Sequence, residues 1–492
     1  MRRSGILMPI FSLPGKYGIG TFSKEAYAFV DFLKEADQKL WQILPLGPTG
    51  YGDSPYQSFS TFAGNPYFID LDALVEEGLL TQAECEALDW GGHDEYVDYG
   101  KLYTSKFQIL RLAFSRADLE HDKDFFAFVA HNYDWVIDYA LFMAIKNAHG
   151  GVCWSEWEED ILLRKEEALE TCRKAYEKDI LFYEFLQYIF DKQWKALKKY
   201  ANDAGIKIVG DMPIYVALDS ADIWANPELF QLDEKNMPTA VAGCPPDAFS
   251  ATGQLWGNPL YQWEYHKDTG YAWWIRRMEH CFALYDVVRI DHFRGFEAYY
   301  SIPAGAKNAM KGKWEKGPGL DLFDAMEEVL GKKEVIAEDL GLLTPEVVKM
   351  VKDSGYPGMK VFQFAFYEDS DSEYLPQNHV QNCVVYTGTH DNQTTLSWYL
   401  DLAEEDREYL EEYTGVSSWK NVCSVMIKYA MMSVAKTCII PLQDYLELDD
   451  RARINEPGST GDNWKWRMKK DVTAQYKQLA SHISKLVKMY GR

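Results

Sequence analysis

No apolar run in this 492-residue chain approaches the roughly 18 uninterrupted residues that a membrane-crossing helix needs, so no transmembrane helix is expected. A secretory signal is missing too. Met1 to Phe11 holds two arginines but only a short apolar stretch, broken by Pro9 and followed by no small-residue cleavage site, which predicts a cytoplasmic protein. Paired cysteines are absent: Cys85, Cys153, Cys172, Cys244, Cys281, Cys383, Cys423 and Cys438 form no CxxC pair and no Cys/His cluster at metal-ligand spacing. Reduced, mostly buried thiols are therefore expected rather than a disulfide framework or a structural zinc site. Positive charge is in deficit, with 51 Lys and Arg against 75 Asp and Glu, and the net charge of −24 repels nucleic acid and anionic membrane surfaces. A neutral or cationic partner is favoured, although a merely acidic soluble surface accounts for the same balance. There is no GxxxxGK[ST] loop to cradle a phosphate, no internal repeat and no low-complexity linker.

What is present is an alternation of short β-rich runs with amphipathic helical stretches, the pattern of a parallel sheet or barrel. Candidate strands are 40–46, 65–71, 206–212, 286–291, 334–339, 359–366, 382–388 and 438–443. Eight is the number that closes a (β/α)8 barrel, and the chain exceeds the roughly 250 residues such a domain needs. The surplus sits in long connections. Residues 73–205 carry charged i/i+4 patterning and predict a helical insertion subdomain. Residues 213–285 are rich in Pro, Gly and aromatics, without clear periodicity, and include a candidate active-site loop at 243–261. One catalytic barrel unit spanning 1–492, elaborated by insertions, is the expected organisation.

Three apolar runs end in an acid: VVRID at Asp291, EVIAE at Glu338 and VVYTGTHD at Asp391, 47 and 53 residues apart. Parallel barrels build active sites at C-terminal strand ends, and this spacing suits successive β/α units. Singly, each acid reads equally as a turn or cap residue. Period-two alternation puts Arg289 and Asp291 on one face, where the guanidinium would hold the carboxylate ionised as a nucleophile requires; a structural ion pair is the competing reading. Glu338, beside another carboxylate and partly shielded from water, would have its pKa raised and suit a general acid. Asp391, next to His390, would stabilise positive charge developing at a sugar's anomeric carbon. A metal at His390 and Asp391 lacks companion ligands, and no cage of oxygen ligands for calcium is visible, so no cofactor is expected.

The loop 47–67 packs Tyr51, Asp53, Ser54 and Tyr56 between glycines, so backbone can approach a ligand and Tyr56 can form a stacking wall. Turn chemistry alone explains its Gly, Pro and Asp content equally well.

Several blocks resemble the 4-α-glucanotransferases called amylomaltases or disproportionating enzymes, within the α-amylase superfamily of (β/α)8 glycosidases. They are GILMPIFSLPGKYGIGTF, LPLGPTGYGDSPYQSFSTFAGNPYFIDL, GDMPIYVALDSADIW, GCPPDAFSATGQLWGNPLY, RIDHFRGF, AEDLG, GTHDNQT and INEPGSTGDNWKWR, covering about residues 5–467. The resemblance implies Asp291 as nucleophile, Glu338 as acid/base, Asp391 as transition-state stabiliser and Arg289 as the residue that positions the nucleophile. It implies that His390 and Tyr56 hold the sugar at the cleavage point and that Asp211 lies at a strand end near the site. Asp247, Phe249, Gln254 and Trp256 would contact substrate from a loop over the cleft, and Asn463 and Trp464 match a late block of looser role. Transfer between α-1,4-glucans and malto-oligosaccharides, with no metal or cofactor, is the implied activity. An α-1,4-glucan hydrolase using the same acids is the nearest alternative, and a non-catalytic glucan-binding protein the remote one.

Overall fold

A computed structural model describes residues 2–492 apart from 247–249, 342, 368–370 and 460, so the predicted contacts Asp247 and Phe249 lie outside the described residues. Eight strands, all parallel, make one sheet. In chain order they are Arg3–Leu7, Leu40–Gln42, Lys207–Met212, Val287–Ile290, Val335–Ala337, Gly358–Val361, Cys383–Tyr386 and Thr437–Pro441. Neighbours in sequence are neighbours in the sheet, Thr437–Pro441 pairs with Arg3–Leu7, and Ala337 N–H donates to Pro357 C=O at 3.0 Å to join the fifth strand to the sixth. The sheet thus closes into a (β/α)8 barrel, whose β-branched strands alternate between an inner and an outer face.

That alternation builds the interior in layers. Leu7, Leu40, Val209, Val287, Ile336, Met359, Val384 and Ile439 form a buried apolar cluster drawn from all eight strands. Two residues further along their strands, Asp211 and Arg289 share the inward face of Val209 and Val287, and Glu338 follows Ile336. The apolar layer excludes water beneath, and the polar layer above it is where chemistry can be done.

One predicted strand, 65–71, is not a strand, and its place in the barrel is taken by Arg3–Leu7, which the sequence reading left out. The apolar run of 65–71 misleads because two capping residues govern it. The Asn65 side chain accepts from Tyr67 N–H and opens a short 3-10 turn with Pro66 first, and Asp70 accepts from Ala73 N–H to start helix Leu71–Glu76. Arg3–Leu7, RSGIL, is short and carries Ser and Gly, which dilute the β signal. Leu40 presses so close to Gly5 that a Cβ there would stand 2.5 Å from the Leu40 Cβ, so the glycine is what lets the first two strands meet.

Between the second and third strands the chain is mainly helical, ending in the 27-residue helix Glu177–Asp203. This helix reaches back to the loop that follows the second strand. Gln187 accepts from Gly64 N–H at 2.7 Å and donates to its carbonyl at 2.9 Å, while Gln193 accepts from Asp70 N–H at 2.7 Å. Both glutamines are buried and satisfied, so the helix clamps the two ends of residues 64–70, the segment that follows the loop carrying Tyr56. A second, antiparallel sheet was not anticipated: Gln254–Pro259, Ala240–Cys244, Ala298–Pro303 and Lys313–Lys316 lie side by side in that order. It carries Gln254 and Trp256 of the long third connection. No described helix is long and apolar enough to cross a membrane.

Candidate active site

The centre of the site is Arg289, which is 3% exposed. Strand register sets Asp211 directly beside it, and Arg289 Nη1 lies 2.7 Å from both Asp211 oxygens and 3.0 Å from Asp291 Oδ1. One guanidinium therefore serves two carboxylates. The sequence reading gave Arg289 to Asp291 alone and expected it to keep that carboxylate ionised. With its closest contacts going to Asp211, the direction reverses: burial pushes the Asp291 carboxyl above its ordinary value, Arg289 opposes this, and the charge of Asp391 adds to the rise. Asp211 is likewise raised by burial, against the pull of Arg289.

Asp211 extends the network outward. Tyr56 donates its hydroxyl to Asp211 Oδ2 at 3.0 Å, and the Tyr56 hydroxyl oxygen lies 2.9 Å from His390 Nε2. Because the phenol proton goes to Asp211, Nε2 must carry the proton toward Tyr56, and burial holds the imidazole neutral by lowering its pKa. His390 Nε2 also approaches Asp391 Oδ1 at 3.3 Å. The Tyr56 ring stacks on His390 with centroids 5.4 Å apart and planes within 15°, and Trp464 packs against both rings at 5.7 and 6.1 Å. An aromatic wall thus borders the acids, as needed to face the apolar side of a sugar.

Glu338 occupies a different setting. Its carboxylate accepts from His292 N–H at 2.7 Å and Leu340 N–H at 2.8 Å. His292 follows the nucleophile candidate directly and sits in the left-handed region at φ 52°, the turn that aims its N–H at Glu338. Burial, and then the charge of Asp291, push the Glu338 carboxyl up to about 7, against Arg289 and the two backbone donors. It can therefore hold or release a proton near neutrality. Trp256 stands edge-on over His292 at 4.9 Å and is tied to Gln254 Oε1 through its indole N–H at 3.1 Å. The second sheet thus brings both predicted contacts to the Glu338 side.

Not every predicted residue reaches the centre. Ser54 accepts from Tyr56 N–H at 3.3 Å and serves the turn. Asn463 uses its side chain on Glu456 and Ser459, closing its own loop rather than facing the acids. In its place the same late block contributes Asn455, which the sequence reading did not single out: its Nδ2 donates to Asp391 Oδ1 at 2.7 Å, while Arg453 Nη2 donates to the Asp391 carbonyl at 3.0 Å. Only its position within INEPG hinted at it, and Asn-Glu-Pro-Gly reads locally as turn chemistry. Replacing Asn455 by Ala frees the Asp391 carboxylate to rotate, and kcat is expected to fall about tenfold with little change in KM, the cost of one charge-assisted hydrogen bond. Steady-state kinetics check this, and an unchanged kcat would show that Asn455 only braces the loop.

Among the described residues, no group of three or more His, Cys, Asp or Glu is arranged to hold a metal ion. What the arrangement offers is one carboxylate beside a buried arginine, one carboxyl poised near neutrality, and a third acid, 40% exposed, facing the cleft.

Comparison with known proteins agrees. A family model described as 4-alpha-glucanotransferase matches residues 8–473. The chain is 49% identical over 487 residues to the 4-alpha-glucanotransferase of Clostridium butyricum, covering 99% of this chain and 100% of that one. It is 48% identical over 480 residues to that of Thermus thermophilus, covering 95% of each. An amylomaltase from Streptococcus agalactiae, solved in complex with acarbose, superposes with a TM-score of 0.97 at 42% identity over 100% of both chains.

Proposed function

The chain belongs to the 4-alpha-glucanotransferase family, and we propose that it moves α-1,4-glucan segments between malto-oligosaccharides by a retaining double displacement. Asp291 attacks the anomeric carbon, the bond to the departing O4 breaks, and Glu338 gives that oxygen its proton, leaving a glucosyl ester on Asp291. The 4-hydroxyl of a second glucan then returns a proton to Glu338 and attacks the same carbon. The ester bond breaks and an α-1,4 linkage is restored. Asp391, held by Asn455, stabilises the positive charge that develops in both steps, while Arg289 positions Asp291 and the Tyr56–His390 pair holds the sugar.

The observation that supports this most is the contrast between the acids. Glu338, raised to about 7, is equipped to shuttle a proton. Asp291 has Arg289 within 3.0 Å to stabilise its ionised form. Trp256 over His292 and the Tyr56–Trp464 wall favour a sugar acceptor over water by holding it close and excluding solvent. We infer a cytoplasmic location as well, in keeping with eight free cysteines.

Incubation with maltotriose tests the acceptor. Transfer yields glucose and longer oligomers while the count of reducing ends stays constant. A steady rise in reducing ends would make the enzyme a hydrolase.

A further inference from the structure

At the end of the barrel opposite the three acids, the beginnings of the strands surround a cleft of about 590 Å3. Its charge runs against the rest of the molecule. The chain carries −24 overall, yet eight residues lining this cleft are Lys or Arg and two are Glu. Glu334 is already engaged, with Arg3 Nη2 at 2.8 Å and with Lys207. Lys39, Lys332, Lys333 and Lys436 have no ion-pair partner among the described residues, and all four are exposed around the opening. Arg2 adds a second sign of an unmet anion: two of its nitrogens are spent on the carbonyls of Tyr490, Met431 and Ser433, while its buried Nε has no partner.

Gathering like charges around one depression is unfavourable unless a counter-charge bridges them. Val287, Val335, Ile336 and Val384 give the cleft an apolar lining, and its volume falls in the usual range for small-molecule sites. None of the lining residues belongs to the substrate cleft.

We propose that this cleft binds a small molecule bearing two or more linked phosphates, with the lysines from separate strand ends closing on the phosphate chain and the apolar lining left for any organic part. Multivalent phosphate fits best because ammonium groups contact it as point charges from several directions, whereas a single carboxylate satisfies only one or two of them. The acidity of the whole protein sharpens the proposal: the overall field repels anions, so saturable anion binding marks a local site and not a diffuse atmosphere.

Calorimetric titration of the full chain with sodium tripolyphosphate, and separately with ATP, at low salt tests it. The expected result is one saturable site that weakens as NaCl is added. Replacing Lys332, Lys333 and Lys436 together by Gln is expected to raise Kd on the order of tenfold or more. A matched control, Lys174, Lys195 and Lys199 to Gln on the helical insertion, is expected to leave Kd unchanged, and maltotriose disproportionation should be unaltered in both variants. Equal affinity for the two probes identifies the phosphate chain alone as the determinant; tighter ATP binding adds the organic moiety. Absence of saturable binding below millimolar concentration, or equal weakening in the control variant, overturns the proposal.

Discussion

Asp291→Asn is expected to lower the rate of glucan transfer by roughly 10^4–10^6-fold, the loss typical when a nucleophile that works in concert with its neighbours is removed. An amide of the same shape cannot form the glucosyl ester. The fold should be little affected, because the two closest contacts of Arg289 are with Asp211 and remain in place. Binding of maltotriose should persist for the same reason, since Tyr56, His390 and Trp464 do not depend on Asp291 for their positions. The variant should also shift its neighbour. With the Asp291 charge gone, one cause of the raised Glu338 carboxyl disappears, and Glu338 should titrate closer to its ordinary value. Activity within tenfold of wild type would remove Asp291 from the chemistry.

Glu338→Gln is expected to reduce transfer from maltotriose by about 10^2–10^4-fold, the range for a lost general acid and base. A donor whose leaving group needs no proton, such as α-glucosyl fluoride, should still load the enzyme, because only the protonation of the departing oxygen is missing. The pH profile gives the sign independently. The first step needs Glu338 protonated, and its carboxyl is raised to about 7, so kcat/KM of the wild type should hold below that value and fall roughly tenfold per pH unit above it. Stability runs in a consistent direction. A carboxyl whose pKa is raised from 4.5 to about 7 on folding binds its proton more tightly in the native state, so its contribution to stability is lost as pH rises through that interval. Any stability deficit of the Gln variant relative to wild type should therefore shrink as pH rises from 4.5 to about 7. Persistence of the alkaline limb in Glu338→Gln would assign that ionisation to another group.

The parts of this site that were legible in the sequence are those governed by local periodicity. Alternation along VVRID put Arg289 and Asp291 on one face, and the ends of their runs put Asp291 and Glu338 at the mouth of a barrel. What stayed hidden depends on register and on long loops. The partner that takes most of Arg289 is Asp211, a neighbour only because the third and fourth strands align those two residues, which are 78 positions apart. Asn455 reaches Asp391 across 64 residues and looks locally like a turn. One of the two backbone donors to Glu338, His292 N–H, comes from a left-handed turn, a conformation that side-chain pattern does not reveal. The strand read at 65–71 failed for a related reason: its hydrophobic content was right for burial, but the caps at Asn65 and Asp70 decided the backbone.

These residues also explain why the acids behave differently despite sharing one cleft. Burial raises both Asp291 and Glu338, and the difference lies in what opposes it. Arg289 opposes the rise at both, but it bonds Asp291 directly at 3.0 Å, whereas Glu338 is held by two backbone amides and pushed further up by the charge of Asp291. Direct pairing with the guanidinium favours the Asp291 anion against its burial, while Glu338 is poised near neutrality.

Mass spectrometry of the Glu338→Gln enzyme after brief exposure to α-glucosyl fluoride tests the covalent mechanism most directly. Loading without the acid should proceed while release without the base should stall, so a single glucosyl adduct is expected to accumulate on the peptide that contains Asp291. An adduct on any other residue, or turnover of the fluoride to a β-linked product with no adduct formed, would contradict the double displacement.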